Sequence, residues 1–184
     1  MSCRFRQINP AFSAIPDSGS YFTTDQISPA LQEVGAQLAQ IGTQQYARVY
    51  NSAAQSIADA TDVHLAFNSE RADTNGLHDT VTNNSRLTCK SAGVYFIMAV
   101  LYWDTAVDAG LRIGALRLNG TTVIASVTMQ NISGQYVKQY CSTVYALEVN
   151  DYIEVRARQT SGGSLNIMNS GSAQGTDFAM VRVA

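Results

Sequence analysis

Two histidines, His64 and His78, lie close in sequence to Asp62, Asp73 and Asp79, and these are the side chains a metal site would draw on. Neither histidine has a ligand-type neighbour at the short spacing that zinc sites use, so no transition-metal site is expected. Asp73, Asn75 and Asp79 carry the hard oxygen donors that calcium prefers. The run Asp73-Thr74-Asn75-Gly76 also has the composition of an Asx-stabilised turn, and the turn is the expected role. Nucleophilic catalysis needs a Ser, Cys or Thr beside a base that a third group orients. No nucleophile elbow, phosphate-cradling glycine loop or dinucleotide fingerprint occurs, and Gly162-Gly163 lacks the strand-to-helix context that would make it more than a turn. Glycoside hydrolysis requires only two carboxylates and stays open to a single sequence, but no signature supports it. The expectation is a protein that is not an enzyme and needs no cofactor.

The three cysteines, Cys3, Cys89 and Cys141, show no metal-ligand spacing. Cys89 shares a strand side with Leu87, and Cys141 shares one with Tyr145 and Leu147, so both are expected as inert core thiols. Cys3 stands beside Arg4 and Arg6, whose charge favours the reactive thiolate. It is the candidate for a disulfide to a neighbouring chain.

Charged residues make up 14% of the chain, against about 25% in ordinary soluble domains. A surface so poor in charge suits burial against copies or partners. The formal charge is −2, spread evenly, so neither nucleic acid nor an anionic membrane is an expected partner. The segment Met1 to Phe12 lacks the apolar run of ~7 to 15 residues that an export signal carries. Val94 to Trp103, the longest apolar run, is far short of the ~20 residues that span a bilayer. Synthesis in the cytoplasm, with the chain kept there or released by lysis, is the expected history.

Three elements must position these residues. All three prolines, Pro10, Pro16 and Pro29, fall in the first 29 residues. Residues 1–25 therefore read as an extended anchoring arm, with Cys3, Phe5, Phe12 and Tyr21 as its candidate contacts. Residues 26–45 carry Ile27, Leu31, Val34, Leu38 and Ile41 along one helical stripe, opened by Ser28-Pro29 and closed by Gly42. At about two heptads the helix is too short to stand alone, so it leans on sister helices, a partner or its own body. From Tyr46 to Ala184 the texture changes to short Val-, Ile-, Tyr- and Thr-rich segments with turn residues every ten or so positions, which predicts an all-β sandwich. Gly93 to Trp103 is the central strand. Leu111 to Leu118 and Thr121 to Met129 flank the hairpin signal Asn119-Gly120. Lys138 to Val149, Tyr152 to Gln159, Leu165 to Met168 and Phe178 to Val183 follow.

The run Phe67, Asn75-Gly76-Leu77-His78-Asp79, Arg86-Leu87-Thr88 and Gly93-Val94-Tyr95-Phe96-Ile97 resembles the opening half of the complement C-one-q-like globular head, which shares its jelly roll with the tumour necrosis factor ligands. Leu118-Asn119-Gly120, Leu147, Asn150-Asp151-Tyr152-Ile153 and Phe178-Ala179-Met180 match later pieces of that family in order, although Asn150 stands where the family has glycine and no collagen stalk precedes the head. The resemblance covers residues 46 to 184 and is nearest to the bacteriophage and bacterial versions. It implies an antiparallel jelly-roll sandwich and a homotrimer packed about a threefold axis, with the helix stripe of three sisters meeting below the head. On this reading the chain is a virion structural protein of a tailed bacteriophage, a head-decoration, collar or fibre component. Its arm would dock on a capsid, collar or tail protein. The alternative is a lectin-like module that recognises a host glycan or surface protein, with Tyr102, Trp103 and Tyr136 as candidate stacking residues.

Overall fold

A computed structural model describes residues 29, 31–35, 44–105, 109–132, 134–169 and 175–184. The chain divides into two compact units, Met1–Thr43 and Gln44–Ala184. In the first, Pro29 and residues 31–35 are helical, and Leu31 and Val34 of the stripe are exposed. Ile27, Leu38, Ile41 and the arm residues Cys3, Phe5, Phe12 and Tyr21 lie outside the described residues.

Among its described residues, the second unit is built from strands and the turns between them. In chain order they are β1 (Tyr46–Tyr50), β2 (Gln55–Ile57), β3 (Val63–His64), β4 (Ser69–Asp73), β5 (Arg86–Thr88), β6 (Gly93–Trp103), β7 (Gly110–Leu118), β8 (Thr122–Asn131), β9 (Val137–Leu147), β10 (Tyr152–Gln159), β11 (Leu165–Ile167) and β12 (Asp177–Arg182). Among the described residues these strands pair antiparallel throughout, and one isolated parallel bridge joins Asp59 to Gln159 of β10. One sheet runs β9-β6-β12-β1-β4, with β11 meeting the far end of β6 and β2 on the outside of β11. The other runs β10-β7-β8, and β5 and β3 share the remaining edge of β10. Two packed antiparallel sheets with these crossovers form a jelly-roll sandwich.

β6 is central, as its apolar run predicts, because it carries β9 along one edge and β12 then β11 along the other. Its period of two sends Tyr95, Ile97, Ala99, Leu101 and Trp103 inward, all buried. Opposite them, Leu116 of β7 and Ile153, Val155 and Ala157 of β10 point inward from the second sheet. Each large apolar side chain removed from water there contributes about 1.5–3 kcal/mol, which is what holds the sheets together.

The turns follow local chemistry. Asn119 and Gly120 both take positive φ (51° and 75°), and the Thr121 N–H donates to the Leu118 carbonyl at 3.2 Å, closing the β7–β8 hairpin. Asn150 has φ 73°, a left-handed conformation that asparagine tolerates where the resembling family uses glycine. This turn ends β9 at Leu147, two residues before the end that alternation alone predicts.

Candidate assembly face

The outward side of the seven-stranded sheet is built by the other half of the β6 alternation: Val94, Phe96, Met98, Val100 and Tyr102. Register sets their neighbours. Phe96 lies between Val144 of β9 and Val181 of β12, Met98 between Ser142 and Ala179, and Val100 between Tyr140 and Asp177. Tyr46 of β1 continues the row past Val181. Tyr140 is 64% exposed, Val144 60%, Tyr46 39% and Phe96 37%, so large apolar groups stand in water on a face that a monomer would make polar. A groove of about 540 Å³ runs along Tyr46, Arg48, Ala72, Phe96, Met98 and Val181. A second, of about 230 Å³, lies along Met98, Val100, Lys138, Tyr140 and Ala179.

One polar cluster interrupts this face. The Asp177 carboxylate, nearly fully buried, pairs with Arg48 and, at 3.2 Å, with Arg71, whose guanidinium also lies 4.3 Å from the centre of the Tyr50 ring. At the opposite side Lys138 sits 4.7 Å over the Tyr102 ring, which packs on Tyr136 at 5.6 Å. Tyr102 and Tyr136 are thus on the surface, as a stacking role requires. Trp103 is not: it is one residue out of phase with Tyr102, fully buried, and its indole N–H donates to Gln139 Oε1 at 2.7 Å. Its candidacy as a stacking residue is withdrawn in favour of the core.

The chemistry-bearing residues are not brought together. His64 Nδ1 faces Glu154 at 3.2 Å on the second sheet. His78 lies in the loop after β4, where its ring nitrogens face Glu70 at 2.9 Å and the Asn84 carbonyl at 3.3 Å. The Asp73 carboxylate accepts the backbone N–H groups of Asn75 at 3.1 Å and of Leu77 and His78 at 3.0 Å each, and Gly76 takes φ 64°. This is the geometry of a capped turn. Asp79 accepts the Thr82 and Val81 N–H groups, each at 2.8 Å, and those two bonds hold its carboxyl below the usual value. Among the described residues no group of three or more His, Cys, Asp or Glu could hold a metal ion.

The residues that carry the family resemblance are structural. Phe67 and Phe178 are fully buried and pack ring to ring, centroids 5.5 Å apart. Tyr95 donates its hydroxyl to the Ser91 carbonyl at 2.7 Å; burial, then the adjoining Cys89, pushes its phenol above the usual range. Gly93 admits no side chain, since a Cβ there would sit 2.4 Å from the Ala184 carbonyl oxygen. Leu147 is buried, and Asp151 braces the turn that follows it. Cys89 and Cys141 are both buried, and burial raises the Cys141 thiol.

What the sequence did not show is a charged cluster on the opposite sheet. Asp62 faces Arg156 at 2.9 Å and both Arg117 and Arg158 at 3.5 Å. These residues come from three separate parts of the chain, and only the strand order joins them.

No protein-family model matches this chain, and no curated protein matches it. Among solved structures, the crystal structure of murine APRIL at pH 5.0 is similar, with a TM-score of 0.57 over 77% of this chain and 100% of that one at 12% sequence identity. APRIL is a tumour necrosis factor family protein, and the fold of residues 44–184 is accordingly a tumour necrosis factor-like jelly roll.

Proposed function

We propose that this chain is a homotrimeric virion structural protein of a tailed bacteriophage, a head-decoration, collar or fibre component that displays its jelly-roll head and is anchored by residues 1–25. The observation that carries the assembly is the outward face of the seven-stranded sheet, where Tyr46, Phe96, Tyr140 and Val144 stand exposed beside two grooves. Burying such a face removes apolar area from water at roughly 25 cal/mol per Å². A threefold ring needs a heterologous contact, in which two different patches meet. The β9 edge, with Tyr140 and Val144, and the groove beside Tyr46 are two such patches on one sheet. The low charge of the chain and its proline-bearing first segment support the virion reading, as does the resemblance to phage heads.

Light scattering on the whole chain tests the assembly. A particle of three times 19.8 kDa is expected, falling to one chain in Phe96→Asp and Val144→Asp. A wild-type monomer at micromolar concentration would remove the trimer from the reading. Phage particles carrying a chain without residues 1–25 test the anchor: the truncated protein should be missing from purified virions, and full occupancy would place the anchor elsewhere.

A second reading, a head that recognises a host glycan or surface protein, is favoured by the surface pair Tyr102 and Tyr136, the latter more than half exposed. Glycan arrays probed with the intact protein separate a recognition head from a purely cementing one.

A further inference from the structure

We propose that the outward face of the five-stranded sheet docks an acidic polysaccharide, whose sulfate or carboxylate groups are gripped by Arg117, Arg156 and Arg158. The inference deepens the recognition reading by naming a face and a ligand class, and it does not depend on the oligomeric state.

The strand order builds the face. Along β10, Ile153, Val155, Ala157 and Gln159 are buried, so Glu154, Arg156 and Arg158 point out. Register places Arg117 of β7 and Arg86 of β5 on either side of Glu154, and His64 beside Arg156. Successive outward residues on a strand stand roughly 7 Å apart and neighbouring strands about 4.8 Å, so the arginines form a compact patch.

Charge on this patch is unbalanced. Among the described residues Asp62 is the carboxylate that ion-pairs with Arg117, Arg156 and Arg158, at 3.5, 2.9 and 3.5 Å. Glu154, the other acid here, is engaged by the Ser85 hydroxyl at 2.6 Å and by His64 at 3.2 Å, and is itself mostly buried. A single carboxylate cannot satisfy three guanidinium forks, each with five N–H donors. The Nε–H groups of Arg117 and Arg156 also lack a hydrogen-bond partner, but both atoms are buried, so the terminal guanidinium nitrogens are the ones an oxyanion from outside would meet. Neither arginine side chain is more than about one-fifth exposed, at 21% and 15%, so little rotamer freedom is lost when an oxyanion docks.

The chemistry of the surroundings selects the partner. Ser126 and Thr128, both exposed on β8, lie across Ala115 and Ile113 of β7 from Arg156 and Arg158, about 10 Å away at two strand spacings, within the span of a sugar unit that pairs its hydroxyls with them. The two carboxylates inside the patch disfavour the dense phosphate array of a duplex, which needs an uninterrupted basic footprint on a chain of higher positive charge. An acidic polysaccharide carries its anions one or so per sugar, a spacing compatible with isolated guanidinium forks.

Dextran sulfate, neutral dextran, polygalacturonate and polyphosphate, each titrated calorimetrically against the intact chain at physiological salt, provide the test. Dextran sulfate or polygalacturonate should bind and neutral dextran should not. Arg156→Ser with Arg158→Ser should weaken binding by about tenfold or more, the loss expected for charge-assisted hydrogen bonds. Asp62→Asn should tighten it, because the competing charge is gone while an oxygen acceptor remains. Arg158→Glu, at the most exposed of the three arginines, replaces the double variant if that one does not fold. Equal binding by wild type and the arginine variants, weaker binding by Asp62→Asn, no binding by either acidic glycan, or tighter binding of polyphosphate would each overturn the proposal. Light scattering on the same samples reads assembly separately, so a monomer that still binds the glycan counts against the trimer alone.

Discussion

The Asn119 side-chain amide donates to the Asp151 carboxylate at 2.8 Å while its own carbonyl oxygen accepts the Tyr152 N–H at 3.0 Å, so the β7–β8 hairpin is tied to the β9–β10 turn. The second Asp151 oxygen accepts the Glu148 N–H at 2.9 Å, and the Asp151 carbonyl accepts the Cys89 N–H at 2.7 Å beyond β5. Three corners of the sandwich therefore meet at one residue, two of them through its side chain. Both side-chain bonds are exposed, so Asp151→Ala should lower the stability to urea by about 0.5–1.5 kcal/mol, the net contribution of hydrogen bonds that water can replace. Asn119→Ala should cost less, and the double variant less than the sum of the two, because they share a bond. Additive losses would show that the two residues act independently.

Gly93 opens β6 where the chain end passes over it. A Cβ would meet the Ala184 carbonyl oxygen at 2.4 Å and Arg182 Nε at 2.5 Å, whereas at Gly163 it would meet nothing within 4 Å. Gly93→Ala is expected to destabilise by about 3 kcal/mol, the upper range for overpacking. Gly163→Ala should stay within about 0.5 kcal/mol of wild type. Thermal melts of the pair isolate the steric effect from the change of residue type.

These positions show how much of the fold was legible in the sequence. Strands β6 and β10 were legible to their ends because an unbroken apolar run marks the first and the alternation of Ile153, Val155 and Ala157 marks the second. Asn119-Gly120 announced its hairpin because both residues suit positive φ. By contrast, β2 has three residues and β3 two, too few for any periodicity, and their pairing is visible only once β11 and β10 are in place. The apolar outward half of β6 could be read as a face in need of cover. The arginine patch could not, because residues 62, 117, 156 and 158 are distant in sequence and the net charge cancels them.

Arg112 is buried completely, with its guanidinium carbon 6.0 Å from the centre of the Trp103 ring. One of its nitrogens donates to the Leu111 carbonyl at 3.1 Å, but Nε and a terminal nitrogen have no partner, and burial lowers its pKa. Replacing a poorly compensated buried charge by an apolar side chain of similar length is often neutral or stabilising by about 1–4 kcal/mol. Arg112→Met is therefore expected to leave the urea midpoint unchanged or raise it, and Arg112→Ala to lower it by leaving a cavity. A lower midpoint for Arg112→Met would mean that the guanidinium contributes more than its burial costs.

The cysteines should separate by reactivity. Cys89 and Cys141 are no more than 3% exposed, Cys89 Sγ–H donates to the Ser91 carbonyl at 3.1 Å, and burial disfavours the Cys141 thiolate. Because the thiolate is the reacting form, both should resist an aromatic disulfide reagent in the native protein and react only as fast as the sandwich opens. Cys3 lies outside the described residues, and its neighbours Arg4 and Arg6 favour the thiolate. One rapidly reacting thiol per chain is expected, absent in Cys3→Ser, with the other two appearing in denaturant. Under oxidising conditions a cross-linked dimer on a non-reducing gel should require Cys3. Rapid reaction of more than one thiol in the native protein would show that a cysteine placed in the core is accessible, and a cross-link surviving Cys3→Ser would assign the bridge to another residue.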